Sequence, residues 1–313
     1  MHKKQTSIGL PAGIITTFDN GCSGYEPLKN VTFSAQIENE FNPRLAEWSI
    51  NACTYAYQDL CNENNIIYPP EIHNGKMLYW FNKPGFFTNK KISSGYIGQI
   101  KEIKGDPTNR IAIIFRGTQK DNEWALDADF QQTQLIMEPS GELVSIHKGF
   151  WEIANNPIEK GLPSLLDQIH NNLPNFLSDS APNELHIGAH SMGSAVALLV
   201  FIDLILRNPN IKVNAYLTGC PRVGNPAFSD SLNVLAKNPN YNFSLWRIAN
   251  TEDIITTLPP PMIEKFLYSH VPITNPKDPS KIDLISFTKN LGKVFDNHHL
   301  FNYYYAMKKL ADE

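Results

Sequence analysis

The sequence predicts an α/β fold: a doubly wound, mostly parallel central sheet with helices on both faces. Three observations carry this expectation. Apolar runs of strand length alternate with longer stretches of helical periodicity along most of the chain. One run, "IAIIF" (Ile111–Phe115), is continuously apolar, as a strand covered on both faces is. Finally, "ELHIGAHSMGSAVALLVFIDLIL" (Glu184–Leu206) passes from a short apolar strand into an apolar helix through a few small residues. That is a sharp turn, and its apex projects from the carboxyl edge of the sheet, where open α/β sheets bind ligands.

In chain order, residues 1–41 are turn-rich, with "DNGCSG" in their midst, and read as an N-terminal extension of irregular or hairpin structure. One domain is expected over 42–313. Pro43–Leu60 has proline at a helix start and apolar residues at helical spacing. "KMLYWFN", "SSGYIGQIKEIK" and "RIAIIFRGT" read as three strands, and "ELVSIHKGFW" as a strand entering a helix. Leu162–Leu177 reads as a helix, "KVNAYLTGCP" and "FSLWRIANTED" as strands, and "HHLFNYYYAMKKLADE" as an amphipathic helix. No repeat or low-complexity linker interrupts the series.

Bulk properties narrow the function classes. A chain of 313 residues can bury a substantial core. Its net charge of −4 offers no basic surplus to neutralise phosphates, which argues against nucleic acid as a partner. Cys22, Cys53, Cys61 and Cys220 lie far apart with no CxxC spacing, so neither a metal site nor a disulfide framework is implied. No apolar run reaches transmembrane length. The N-terminus has lysines and mild apolarity, but Pro11 and Gly13 interrupt it and no clear cleavage site follows. The expectation is a protein kept in the cytoplasm or exported without a recognisable signal peptide.

The turn at Ser191 has the residues a nucleophile elbow needs. A serine at such an apex is forced toward positive φ, and the residues two before and two after it come close, so both must be small. Here they are Ala189 and Gly193. Taken alone the pentapeptide is weak, since a serine that merely caps a buried helix looks the same. A nucleophilic serine also requires a base, and the base an acid that fixes its tautomer. In sheets of this kind the order is serine, acid, histidine. Asp253 follows an apolar strand in "WRIANTEDIITTLPP", and "NHHLF" supplies His298 and His299 at the head of the last helix. Taken singly, such an aspartate is usually a cap and such a histidine a surface residue.

Six segments, in order, resemble the class 3 lipases, the fungal-lipase-like branch of the α/β-hydrolases. They are "IAIIFRGT", "WALDADF", "IHKGFW", "AHSMGSAVALL", "LTGCPRVGNPAF" and "RIANTEDIITTLPP", and the resemblance runs from about Pro43 to Met307. The departures are Ala189, for the usual first glycine of the elbow, and Ser194, where a second glycine is common; neither removes a catalytic group. The resemblance implies a carboxylic ester hydrolase of acyl lipids with no metal or organic cofactor. Its roles are Ser191 as nucleophile, Asp253 as orienter and a histidine near 298 as base. Met192 and Thr118 are the oxyanion-hole donors, Met192 through its backbone N–H and Thr118 through backbone and hydroxyl. Arg116, His147 and His190 are expected to be structural, and Pro221–Asn225 to shape a turn beneath the site. Gln119–Gln134, with Trp124, Leu126 and Phe130 among polar residues, is a candidate lid or an ordinary surface helix.

Between the adjacent histidines the choice falls on His298. If helical, the two side chains diverge by about 100°. His298 stands three before Phe301, placed with Leu300, Tyr304 and Met307 on the inward stripe. An Asn-His-x-x-x-Asn-Tyr arrangement in the family also matches Asn297, His298, Asn302 and Tyr303, whereas a competing His-Leu pattern selects His299. The partners implied are an acyl lipid or ester substrate and a transient lipid-interface contact. Triacylglycerol lipase, monoacylglycerol lipase and phospholipase A1 stay unseparated, because specificity lies in pocket loops. The rival is a lipase-like scaffold or binding module without catalysis; such a protein would typically have lost a triad member.

Overall fold

A computed structural model describes residues 6–7, 41–58, 67–80, 92–102, 107–118, 130–138, 140–158, 161–271, 282–292 and 296–313. The strands are β1 (Thr6–Ser7), β2 (Ile72–Trp80), β3 (Ile92–Ile100), β4 (Asn109–Phe115), β5 (Gln132–Met137), β6 (Glu142–His147), β7 (Asn183–His190), β8 (Lys212–Thr218), β9 (Phe243–Asn250), β10 (Met262–Ile263), β11 (Phe266–Leu267) and β12 (Ile282–Thr288). Eight of them form one sheet in the order β1-β12-β9-β8-β7-β4-β3-β2. From β1 to β4 neighbours are parallel; β3 and β2 add on antiparallel. Strands β5 and β6 pair as a separate hairpin, as do β10 and β11.

The helices are α1 (Pro43–Gln58), α2 (Lys148–Asn155), α3 (Leu165–Asn172), α4 (Met192–Arg207), α5 (Pro226–Lys237) and α6 (Leu300–Asp312). Because side chains alternate along a strand, the buried residues of β4 divide between two cores. Ile111, Ile113 and Phe115 pack with α2, α3, α4 and α5, while Ala112 and Ile114 pack with α1 and α6. Each Leu or Ile wholly removed from water contributes roughly 1.5–3 kcal/mol. Helix α4 is apolar around nearly its whole circumference because it is buried around nearly all of it. Among the described residues no helix is long and apolar enough to cross a membrane.

Three differences from the sequence reading have physical causes. Strand β2 begins at Ile72 rather than Lys76. Asn74, at φ 55°, and a register shift between His73 and Lys76 break the period-two alternation that would have marked its first half. Strand β12 was not anticipated; near the sheet edge most of its residues are only half-buried, so it lacks a strong apolar run. Helix α5 also went unread, although Asn225 caps it by accepting the Phe228 N–H at 2.9 Å, with Pro226 in its first turn. The expected turn at Pro221–Asn225 therefore ends as a helix start.

Candidate active site

Strand β7 delivers His190 to the carboxyl edge, and helix α4 begins at Met192. Ser191 lies between them with φ 60° and ψ −132°, a left-handed conformation that a non-glycine residue adopts only where its surroundings hold it. It occupies the cap position of α4, yet its side chain makes no capping hydrogen bond. The hydroxyl is thus not consumed by the commonplace role such a serine can have.

The small flanks have definite partners. A Cβ on Gly193 would stand 2.1 Å from the Arg116 carbonyl oxygen, so the first turn of α4 lies directly against the chain leaving β4. A Cβ on Gly117 would stand 2.6 Å from the Ser191 Cβ, so that same chain reaches the serine itself. Gly193→Ala is accordingly expected to push the two segments apart, lowering stability by about 1–3 kcal/mol with a larger proportional loss of turnover. Thermal unfolding and kcat together check this; an unchanged kcat would mean that the contact has no catalytic consequence.

Ala189 is buried, and its carbonyl accepts the Thr218 hydroxyl at 2.7 Å. The Thr218 carbonyl in turn accepts the Ser191 N–H and the Ser194 hydroxyl, each at 2.9 Å. Ser194, a departure from the family pattern, therefore bonds the elbow to β8. Thr218 was missed in the sequence; its position at the end of β8, beside β7, was the available signal.

Asp253 follows β9 and is buried. Its Oδ1 accepts the Ile255 N–H at 2.8 Å, capping the short 3₁₀ turn Ile254–Thr257, so the capping role foreseen for a lone aspartate is present. Its Oδ2 does more. It lies 2.5 Å from the His298 Nδ1 and 2.5 Å from the Tyr303 hydroxyl, which donates to it. Burial and the Asp253 charge hold the Tyr303 hydroxyl well above its usual range, so it stays protonated. Gly219, at φ 59°, leaves room for the pair: a Cβ there would stand 2.8 Å from the His298 Cε1 and 3.3 Å from the Asp253 Oδ2.

The two histidines separate cleanly in position. His298 is fully buried, in a 3₁₀ turn (Asp296–His298) rather than in a helix. His299 caps α6, its Nδ1 accepting the Phe301 N–H at 3.3 Å, and its ring stacks on Phe301. Burial and the neighbouring His298 push its pKa down to about 4, so it is neutral near pH 7. The stripe reasoning needs one correction: Phe301 is only half-buried, and Asn302 and Tyr303 are buried instead. His298 points inward because the 3₁₀ turn carries it there. Asn250 and Asn297 fix that turn: the Asn250 Nδ2 donates to the Asn297 carbonyl at 2.9 Å, and the Asn297 Nδ2 donates to the Glu252 carbonyl at 3.2 Å.

On the other side of the elbow, Thr118 is buried just beyond Gly117. Met192 is the first residue of α4, where helix amides lack intrahelical acceptors and the helix dipole favours negative charge. Arg116 donates its Nε to the Ser93 carbonyl at 3.0 Å, and its guanidinium lies over the Trp80 ring at 4.9 Å. His147 caps α2 through the Gly149 N–H and stacks on Phe150 at 4.1 Å. Within the lid candidate, Trp124 and Leu126 lie outside the described residues. Phe130 sets its ring edge-on to His147, and Gln132–Gln134 belong to β5, so that end of the segment is strand, not helix.

A serine raised at a strand-to-helix elbow, with an aspartate and a histidine brought in by turns after two later strands, is the arrangement that a nucleophilic serine, its base and an orienting acid require. The profile of the family described as Lipase (class 3) matches residues 112–262. The lipase of Rhizomucor miehei is 29% identical over 160 residues, covering 50% of this chain and 39% of that protein. The secreted mono- and diacylglycerol lipase MDL2 of Malassezia globosa is 28% identical over 151 residues, 48% of this chain and 47% of its own length. The chloroplastic phospholipase A(1) DAD1 of Arabidopsis thaliana is 26% identical over 219 residues, 65% of this chain and 46% of its own. The chain thus spans less than half the length of each of these three relatives.

Proposed function

We propose that this protein is a serine carboxylic ester hydrolase of acyl lipids, with Ser191 as nucleophile, His298 as general base and Asp253 as its orienter. The observation that supports this reading is the buried Asp253–His298 pair at 2.5 Å beside an elbow serine whose hydroxyl does no capping. Ser191 Oγ attacks the ester carbonyl carbon as its proton passes to the His298 Nε2. The carbonyl π electrons move to oxygen, where the N–H groups of Met192 and Thr118 and the Thr118 hydroxyl receive the charge. Collapse breaks the bond to the leaving alcohol, which takes the proton from His298. Water then repeats the sequence on the acyl-serine and releases the acid. Asp253 holds the Nδ1–H of His298 and balances the imidazolium that forms.

Two of the relatives are named for different glycerolipids, mono- and diacylglycerols in one and phospholipids in the other, and an acyl ester is common to both. Contact with a lipid interface is supported by Ile254, Met262 and Leu267, exposed large apolar side chains on the segment just after Asp253. A panel of p-nitrophenyl esters from short to long chain, with a triglyceride emulsion and phospholipid vesicles, tests the reading. Serine-dependent hydrolysis of the esters and of at least one lipid is expected. No turnover of any ester would favour the non-catalytic scaffold. For the oxyanion side, Thr118→Val is expected to lower kcat about 10²-fold with KM little changed, as for a donor acting mainly in the transition state. Equal rates would leave the backbone amide as the whole contribution of that residue.

A further inference from the structure

His190 carries a second imidazole beside the nucleophile, for which the proposed reaction has no use, and its surroundings are specific. The ring is fully buried. Its Nε2 lies 3.0 Å from the main-chain carbonyl oxygen of His298. A carbonyl only accepts, so Nε2 carries the proton. Its Nδ1 lies 2.8 Å from the Tyr57 hydroxyl, and that hydroxyl accepts the Gly117 N–H at 2.8 Å. In the neutral tautomer Nδ1 is an acceptor, so Tyr57 donates to it. A continuous chain of hydrogen bonds therefore runs from the oxyanion side of the site, through α1, to the turn that holds His298.

The rings of His190 and His298 also stack, with centroids 4.7 Å apart and planes 24° apart. Tyr57 and Tyr303 meet the His190 ring edgewise, each with centroids at 5.9 Å. The groups around it that can hold charge or a proton are His298 and His299 on the turn before α6, Tyr303 on α6, and Tyr57 on α1. Asp253 lies one hydrogen bond further, on both His298 and Tyr303. Arg116, at the end of the adjacent strand, donates its Nε to the Ser93 carbonyl and its Nη1 to the Gly117 carbonyl, with the guanidinium over the Trp80 ring. Burial, then the nearby His298, keeps the His190 ring well below its usual pKa.

We propose that His190 is a positioning residue for ester hydrolysis: a neutral imidazole whose face supports the positive charge formed on His298, whose Nε2–H fixes the His298 main chain, and which Tyr57 locks in that tautomer. The inference rests on the triad reading above. A neutral π face against a cation in a dry site is stabilising, whereas a second positive charge there would oppose the step. The stack favours charged over neutral His298, so it raises the pKa of the base.

The test replaces His190 with glutamine, which keeps amide donors and an acceptor but has no aromatic face, and Tyr57 with phenylalanine. Rates on a soluble p-nitrophenyl ester are expressed per active site titrated with a fluorophosphonate, so misfolded protein does not count. For His190→Gln, kcat is expected to fall roughly 5- to 30-fold with KM little changed. The acid limb of kcat/KM moves to lower pH, as the base loses what favours its charged form. His190→Phe, which restores a ring without the hydrogen bonds, returns the acid limb toward the wild-type position. If His190→Gln leaves kcat per site and the acid limb unchanged, or lowers only the number of titratable sites, the proposal is overturned while the triad stands. Should the glutamine variant fail to fold, Tyr57→Phe decides, since it removes one oxygen: a lower kcat per site supports the proposal and an unchanged one overturns it. Absence of Ser191-dependent turnover in the wild type would overturn both readings.

Discussion

Ser191→Ala is expected to reduce ester turnover to the uncatalysed background while leaving the fold in place. The side chain is small and buried, and the helix it precedes draws no capping bond from its hydroxyl, so its loss costs little stability. The unusual backbone at φ 60° is held by the Ser191 N–H to the Thr218 carbonyl and by the packing of α4, which the substitution leaves untouched. A fluorophosphonate should label the wild type and not the variant, with thermal unfolding nearly superimposable. Because a triad acts as a unit, the loss should reach several orders of magnitude, whatever the acyl group. Equal labelling of both proteins would remove Ser191 from the reaction.

The second large effect separates adjacent residues. His298→Ala should fall to the level of Ser191→Ala, and combining the two should lower activity no further. His299→Ala should keep most of the activity but unfold at lower temperature. It removes a helix cap whose loss typically costs about 1 kcal/mol. It also removes the face stacked on Phe301. His298 meets the Asp253 carboxylate through Nδ1, whereas His299 commits its Nδ1 to the Phe301 N–H at the head of α6. The reverse pattern would transfer the base to His299 and leave the class of chemistry standing; full activity in both variants would dismantle the triad.

What the sequence made legible was what local sterics and periodicity control. The elbow shows because a residue at positive φ between packed elements needs small neighbours, and Ala189 and Gly193 are such neighbours. The alternation of β4 and the all-round apolar α4 show because burial writes directly into hydropathy. The helical stripe expected to turn His298 inward includes Phe301, yet Phe301 is half-buried, because a 3₁₀ turn and not the helix carries His298 to the interior. The missing pieces depend on distant contacts. Tyr57 reaches His190 across 133 residues, and Tyr303 reaches Asp253 across 50. Nothing in the local pattern of α1 distinguishes Tyr57 from any other aromatic turned into the core, although Tyr303 already stood in the arrangement used to place His298.

The turn that carries His298 leads directly into α6, and the same helix lays Tyr303 on Asp253 and packs against α1. Ser191 and Gly117–Thr118 come from the middle of the chain, and His298 from the short turn just ahead of α6. During synthesis, then, a chain folded through β8 would already display the strained serine, yet would have neither acid nor base to activate it. Only when α6 closes onto α1 do both sides of the reaction meet. Removal of the chain from Asp296 onward would take away His298 and Tyr303 but leave Asp253, so Ser191 would keep a nearby carboxylate and have no imidazole from that turn.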